Sequence, residues 1–190
     1  LTTPEGATQH FSYNSERLLT EVVDGNSNKT KYTYGACDLL NSQTLPNGER
    51  LIFHYDKLTR LTEVRNSQGD SYRYEYDKAG QLIKETDFTG RARCYAYDIA
   101  GRLIRRIQAD GGVETYVYDE NDRLLSYQTW QPKYQKGEVK AGGKTPEKLT
   151  ALLEDINLEG YELAHQVSYS YTKKTGQLEK TINTQYLPYF

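Results

Sequence analysis

At 190 residues the chain could hold one or two domains, but only 36% of its residues are hydrophobic and its mean hydropathy is −0.83, which argues against a thick two-layer core. The formal net charge of −2 offers no electrostatic footprint for nucleic acid or an anionic membrane, and no apolar run approaches the ~18 residues that cross a bilayer. Tyrosine dominates the aromatics, with 18 tyrosines against one tryptophan and no methionine; a ring that buries while its hydroxyl stays hydrogen-bonded suits a thin sheet.

From the start the chain repeats itself. Tyr13, Tyr34, Tyr55, Tyr76, Tyr97 and Tyr118 are spaced by 21 residues, each with an aromatic two positions upstream: Phe11, Tyr32, Phe53, Tyr74, Tyr95 and Tyr116. Six positions downstream of each stands a leucine: Leu19, Leu40, Leu61, Leu82, Leu103 and Leu124. For a residue type near a tenth of the chain, such spacing arises by chance about once in 100,000. Units this short cannot bury a core alone, so they must stack on their neighbours. Leu1 leads into repeat sequence with no signal-like segment, as expected of a piece of a larger protein.

The fourth repeat is the clearest. Ser71-Tyr72-Arg73-Tyr74-Glu75-Tyr76 alternates aromatic and polar residues with the period of a strand. Asp77-Lys78-Ala79-Gly80 is turn chemistry: the aspartate side chain opens the turn, and Gly80 takes the left-handed conformation that closes it. A second strand carries Leu82 toward the apolar face, and Asp87-Phe88-Thr89-Gly90 turns the chain again. Asp98-Ile99-Ala100-Gly101 repeats the first turn. Thr59 and Arg17 replace its glycine, and Ser27 replaces the glycine of a second turn, which predicts looser turns there. Six units predict about twelve antiparallel strands over residues 1–127, with Leu61, Leu82 and Leu103 buried.

The register breaks after Tyr127 and resumes at Tyr169-Ser170-Tyr171 with Gly176 and Leu178. Residues 128–165 therefore read as an insertion, and 166–190 as a further degenerate repeat. Within the insertion, Lys133 to Lys144 reads as a mobile, lysine-rich surface loop. Thr145-Pro146-Glu147 has the chemistry of a helix start, and Leu149, Leu152, Leu153 and Ile156 follow at helical spacing. This predicts a short amphipathic helix over about 146–157, with one stripe that needs a surface to cover.

Tyr76-Asp77-Lys78-Ala79-Gly80-Gln81-Leu82 and Tyr97-Asp98-Ile99-Ala100-Gly101-Arg102-Leu103 resemble the YD repeat of Rhs proteins, of the C component of insecticidal ABC toxins and of teneurins. The resemblance covers residues 1 to about 127 and again about 165–185. It implies an all-β fold of tandem hairpins, a spiralling antiparallel ribbon that forms part of a hollow shell, here with one short helical insertion. In bacterial members the shell encloses a toxic C-terminal domain until delivery outside the cell, so the implied partners are the remainder of the shell and that toxin domain. Those members end the shell at a self-cleaving Asp-Pro segment; this chain has no Asp-Pro dipeptide.

The implied role is structural encapsulation, with the tyrosines acting as packing between strands. A second class is carbohydrate binding, since aromatic rows on a repetitive scaffold suit stacking on sugar rings; related glycan-binding repeats lean on tryptophan, and here Trp130 stands outside the periodic repeats. An enzyme is not expected. His10, His54 and His165 are scattered without ligand spacing, and no nucleophile motif or phosphate loop occurs. The aspartate column Asp56, Asp77, Asp98 and Asp119 reads as turn initiators rather than a calcium ladder. Cys37 and Cys94 occupy different places in their repeats and read as unpaired thiols. No cofactor or metal is expected.

Overall fold

The computed structural model describes residues 8–133 and 158–185. They form one 14-stranded antiparallel sheet in which the strands follow chain order without a crossover. Each repeat contributes two strands: β1 (His10–Tyr13) and β2 (Leu19–Val23), β3 (Lys29–Tyr34) and β4 (Leu40–Thr44), β5 (Arg50–Tyr55) and β6 (Leu61–Arg65). Then come β7 (Ser71–Tyr76) and β8 (Leu82–Thr86), β9 (Ala92–Tyr97) and β10 (Leu103–Ile107), β11 (Val113–Tyr118) and β12 (Leu124–Pro132), and finally β13 (Tyr161–Tyr171) and β14 (Leu178–Gln185). The strands alternate with turns because period-two patterning is interrupted, every ten or eleven residues, by a residue that the backbone holds at positive φ.

The first turn of each repeat shows why. At Asp98 the backbone N–H donates to the Arg102 carbonyl and the Gly101 N–H donates back to the Asp98 carbonyl, both at 3.0 Å. Gly101 closes the turn at φ 80°. Thr59, at the equivalent position, adopts φ 62° and makes the same pair of bonds with Asp56, also at 3.0 Å. Arg17 and Ser27 do likewise at φ 65° and 64°. These turns are therefore not loose, as their sequences predict; the ladder on either side dictates the turn, and a side-chain-bearing residue is held in the left-handed region. The second repeat departs, where Ala36–Asp38 forms a single 3-10 turn with Cys37 at φ 57°, and so does the turn after Tyr171, one residue longer, where the Thr172 N–H donates to the Gln177 carbonyl at 2.9 Å.

The described residues fall into two compact units, one comprising residues up to Tyr74 with Asp87–Gly90, the other Glu75–Thr86 with Arg91 onward. In the first unit burial is sparse: Val64 on β6 and Ser42 on β4 are buried. Tyr72 stacks on Tyr74 with ring centroids 4.9 Å apart and meets the edge of Phe88 at 5.8 Å. The second unit holds a true core. Cys94 lies opposite Ile107, Ile107 opposite Val113, and Val113 opposite Trp130, a row across four strands. Ile107 and Cys94 are wholly buried, Val113 and Ala92 nearly so, and Trp130, Leu158 and Tyr161 pack against them.

The leucine column is not this core. Leu61, Leu82 and Leu103, expected to be buried, are half-buried. They sit at the end of their strands next to the first turn, whereas the core gathers at the opposite end, near the second turns, where Trp130 and Leu158 supply cover.

The sheet also continues past Tyr127. Gln128 pairs with Gln166, Thr129 with His165, Trp130 with Leu163 and Pro132 with Tyr161. The Lys133 N–H closes the hairpin on the Gly160 carbonyl at 2.9 Å. The helix expected over 146–157 lies outside the described residues, as does the part beyond Lys133 of the loop expected over Lys133 to Lys144.

A β-branched residue at positive φ costs about 1–2 kcal/mol, part of which glycine gives back in unfolded-chain entropy. Thr59→Gly should therefore stabilise the chain by about 0.5–1 kcal/mol, read as a higher denaturation midpoint. The same change at Arg65, inside a strand, should lower it.

Candidate functional surface: the tyrosine seam

Where the repeat tyrosine pairs with its leucine, the ladder slips by one residue. Tyr55 pairs with Leu61 but His54 pairs with Glu63, leaving Thr62 as a bulge. Thr20, Asn41, Ile104, Leu125 and Glu179 are bulged in the same way in their own hairpins. A bulge interrupts the ladder, and the backbone groups beside it need other partners. The tyrosine of the following repeat supplies one. Tyr34 donates its hydroxyl to the Leu19 carbonyl at 2.9 Å, Tyr55 to that of Leu40 at 3.0 Å, Tyr97 to that of Leu82 at 2.9 Å, and Tyr118 to that of Leu103 at 2.9 Å. Tyr171 reaches the Leu124 carbonyl at 2.9 Å, although 47 residues rather than 15 separate them. The two invariant columns of the repeat thus meet, through a hydroxyl and a carbonyl rather than through two apolar side chains. Tyr76 is half-buried on β7, and Tyr13 on β1 is 60% exposed.

The aspartate and arginine of the motif form a second device. Asp98 accepts the N–H groups of Ala100 and Arg102 on Oδ1, at 2.9 and 3.0 Å, and the Arg102 guanidinium on Oδ2 at 2.7 Å. Asp119 with Arg123, and Asp56 with Arg60, repeat this arrangement. The arginine then reaches forward: Arg102 lies over the Tyr118 ring at 5.1 Å, and Arg123 over the Tyr171 ring at 4.7 Å. Each such arginine clasps its own turn and covers the next tyrosine strut. Where the sixth repeat has Asp122 in place of glycine, Arg102 also bonds the Asp122 carboxylate at 2.9 Å. In the fourth turn Gln81 stands for arginine, and a Cβ at Gly101 would lie 3.1 Å from its amide nitrogen. A side chain at Gly101 would therefore take positive-φ strain, as Thr59 does, and would push the flexible Gln81 amide aside.

A third layer of polar bonding lies on the tyrosine face of the second unit. Glu114 is buried on β11 and accepts from Tyr116 at 2.7 Å, Gln108 at 2.7 Å and the Arg106 Nε at 2.9 Å. Glu85 accepts from Tyr95 at 2.7 Å and Arg93 at 2.9 Å. Burial pushes the Tyr95 and Tyr116 hydroxyls far up, and the carboxylates that accept from them add to it. Burial alone would push Glu114 up, but the bonds from Tyr116, Gln108 and Arg106 outweigh it and hold its carboxyl below the ordinary range. Hydrogen bonds from the Arg60 and Arg102 backbone N–H groups lower Asp56 and Asp98, as the Arg123 side chain lowers Asp119.

Sequence reasoning missed Glu114, Arg106 and Trp130, none of which recurs with the repeat. It also left the motif arginines without a role, although the Asp-to-Arg spacing of four at 56/60, 98/102 and 119/123 was there to be read. Among the described residues no group of three or more His, Cys, Asp or Glu side chains could hold a metal ion. His165 bonds Asn183 at 2.6 Å, while His10 and His54 lie exposed on other strands. Cys37 is exposed and Cys94 buried, and neither is in a disulfide.

The geometry defines a tandem β-hairpin repeat protein, two strands to every 21 residues, sewn together by tyrosine hydroxyls. Residues 55–92 match the family model described as RHS Repeat. No curated protein sequence matches it. Among solved structures it is similar to the TcdB2-TccC3 crystal structure without the hypervariable C-terminal region, with a TM-score of 0.67 at 16% identity over 96% of this chain and 9% of that one. The TcdB2-TccC3-Cdc42 crystal structure and the Photorhabdus luminescens Tc holotoxin pore each give a TM-score of 0.65, again at 16% identity over 96% of this chain and 9% of theirs. The likeness is one of fold, and the chain spans about 9% of the length of the chains it matches.

Two outcomes check this reading. Tyr118→Phe removes only the hydroxyl of one strut and should cost about 1 kcal/mol in a denaturant titration; Tyr13→Phe, at a hydroxyl with no acceptor among the described residues, should cost the folded chain nothing. The clasp carboxyls titrate lower folded than unfolded, so their stabilisation is complete above the ordinary carboxylate pKa of ~4 and is lost as pH falls through the lowered folded values. The urea midpoint should drop below pH ~4, and Asp98→Asn should shrink that drop.

Proposed function

We propose that the chain is a wall segment of an Rhs-type shell that sequesters a toxin domain before its delivery outside the cell. One observation carries this reading: a single sheet of 14 strands runs in chain order with every hairpin tied to a neighbour, and the same fold recurs inside much longer chains of toxin complexes. A sheet so built gains stability by extension along one direction rather than by adding a second layer. The remainder of the shell and the toxin domain would be its partners. The structure of the seam speaks against the carbohydrate reading, because Tyr34, Tyr55, Tyr97, Tyr118 and Tyr171 are half-buried and commit their hydroxyls to backbone carbonyls.

The test is protease protection in the complete natural protein that carries this segment. An enclosed C-terminal domain should resist a protease that digests the same domain made alone, and Tyr97→Phe combined with Tyr118→Phe should make it leaky. A domain cut equally fast in both settings would show that the wall encloses nothing.

A further inference from the structure

We infer that the second repeat carries a binding site for a guanidinium group, an arginine side chain presented by a polypeptide segment outside these 190 residues. The inference rests on one turn and the strand beside it, and it holds whether or not the sheet encloses a cargo.

The clasp described above sets what this place contains elsewhere in the sheet. In the fifth and sixth repeats the aspartate one position after the seam tyrosine holds the arginine five positions after it. That arginine covers the next tyrosine, Arg102 over Tyr118 at 5.1 Å and Arg123 over Tyr171 at 4.7 Å. Arg102 also donates to the backbone carbonyl of Asp119 at 3.0 Å. In the second repeat both members of the clasp are replaced, with Gly35 at the aspartate position and Leu39 at the arginine position. The first and fourth repeats replace only the arginine, by Leu18 and Gln81, and keep a turn-opening side chain in Asn14 and Asp77.

The loss of both leaves room. An open cavity of about 240 Å³ lies at the clasp position, and its lining includes Gly35, Leu39, Asn41, Phe53, His54 and Tyr55. Tyr55 is the tyrosine that an arginine of the second repeat would cover. Its hydroxyl is committed to the Leu40 carbonyl at 3.0 Å, so its ring face is what it offers a ligand. A Cβ at Gly35 would find Asn41 at 3.9 Å as its nearest neighbour; no other side chain has refilled the space.

The sister turns show which ligand fits. A guanidinium lies flat on an electron-rich ring and keeps its edge N–H groups for oxygen acceptors. Here the Tyr55 ring would take the face, and the Asp56 carbonyl, counterpart of the one on Asp119, would take the edge. A lysine ammonium is a compact, strongly hydrated charge and covers a ring less well. Every arginine of the sequence lies within the described residues and none of them lines this cavity, so the guanidinium must come from another segment.

Two-dimensional NMR of the 190-residue chain, titrated at neutral pH with Nα-acetylarginine amide, tests this. Resonances of Tyr55 and Leu39 should move saturably, and Nα-acetyl-lysine amide should bind several-fold more weakly. Leu39→Arg, alone or with Gly35→Asp to rebuild the clasp, supplies the guanidinium from within and should abolish the response. Tyr118, already covered by Arg102, should not respond in either form. A titration without a saturable shift at Tyr55 would overturn the proposal, as would equal binding of the lysine amide. A response that survives in Leu39→Arg would place the contact elsewhere. A shift at Tyr55 with methyl glucoside but not with the arginine derivative would make the cavity a sugar site instead.

Discussion

The sheet depends on a bond between a tyrosine hydroxyl and the carbonyl of a leucine in the repeat before it. A β-bulge beside Leu19, Leu40 and Leu103 interrupts the ladder and would leave a backbone acceptor poorly served; the tyrosine of the next repeat fills that need at 2.9–3.0 Å. Each bulge thus becomes the point where two repeats are fastened. The aspartate turn places the leucine strand, the arginine of that turn covers the tyrosine, and the tyrosine closes on the leucine. Motif positions that are adjacent in sequence therefore act on neighbouring hairpins.

This division explains the low hydrophobic content. A chain with 36% hydrophobic residues can hold a broad sheet when many of its inter-repeat contacts are hydrogen bonds made by half-buried rings. Neutral bonds of this type contribute about 1 kcal/mol each, so their effect comes from repetition. The second unit adds a compact apolar row of Cys94, Ile107, Val113 and Trp130. On the sheet's tyrosine side, Glu85 and Glu114 are satisfied by tyrosine and arginine donors at once.

The strands, their order and their turns were legible in the sequence because they follow the 21-residue period. What the period could not show is what breaks it. The positions equivalent to Ile107 in earlier repeats are Thr86 and Arg65, and those equivalent to Cys94 include Arg73 and Thr115; averaging over repeats hides a core that exists in one place only. The leucines misled for the opposite reason. Their regularity looked like a buried stripe, yet the fixed feature at those positions is a backbone carbonyl beside a bulge, and side-chain identity carries little trace of it. Thr59 shows a third limit, since a turn held by the ladder on both sides tolerates a residue that local preference disfavours.

Tyr171 on Leu124 shows that the seam takes no account of the path between its two halves. Hydroxyl and carbonyl are fifteen or forty-seven positions apart in the sequence, and the bond length is the same to within 0.1 Å. Each doubling of a loop costs only about 0.6 kcal/mol in closure entropy, so the scaffold can host new sequence between two strands without renegotiating the fit of its neighbours. An architecture fastened this way separates mechanical continuity from chain continuity. Novelty can enter at any second turn, and natural selection can try it there while the fabric around it stays whole.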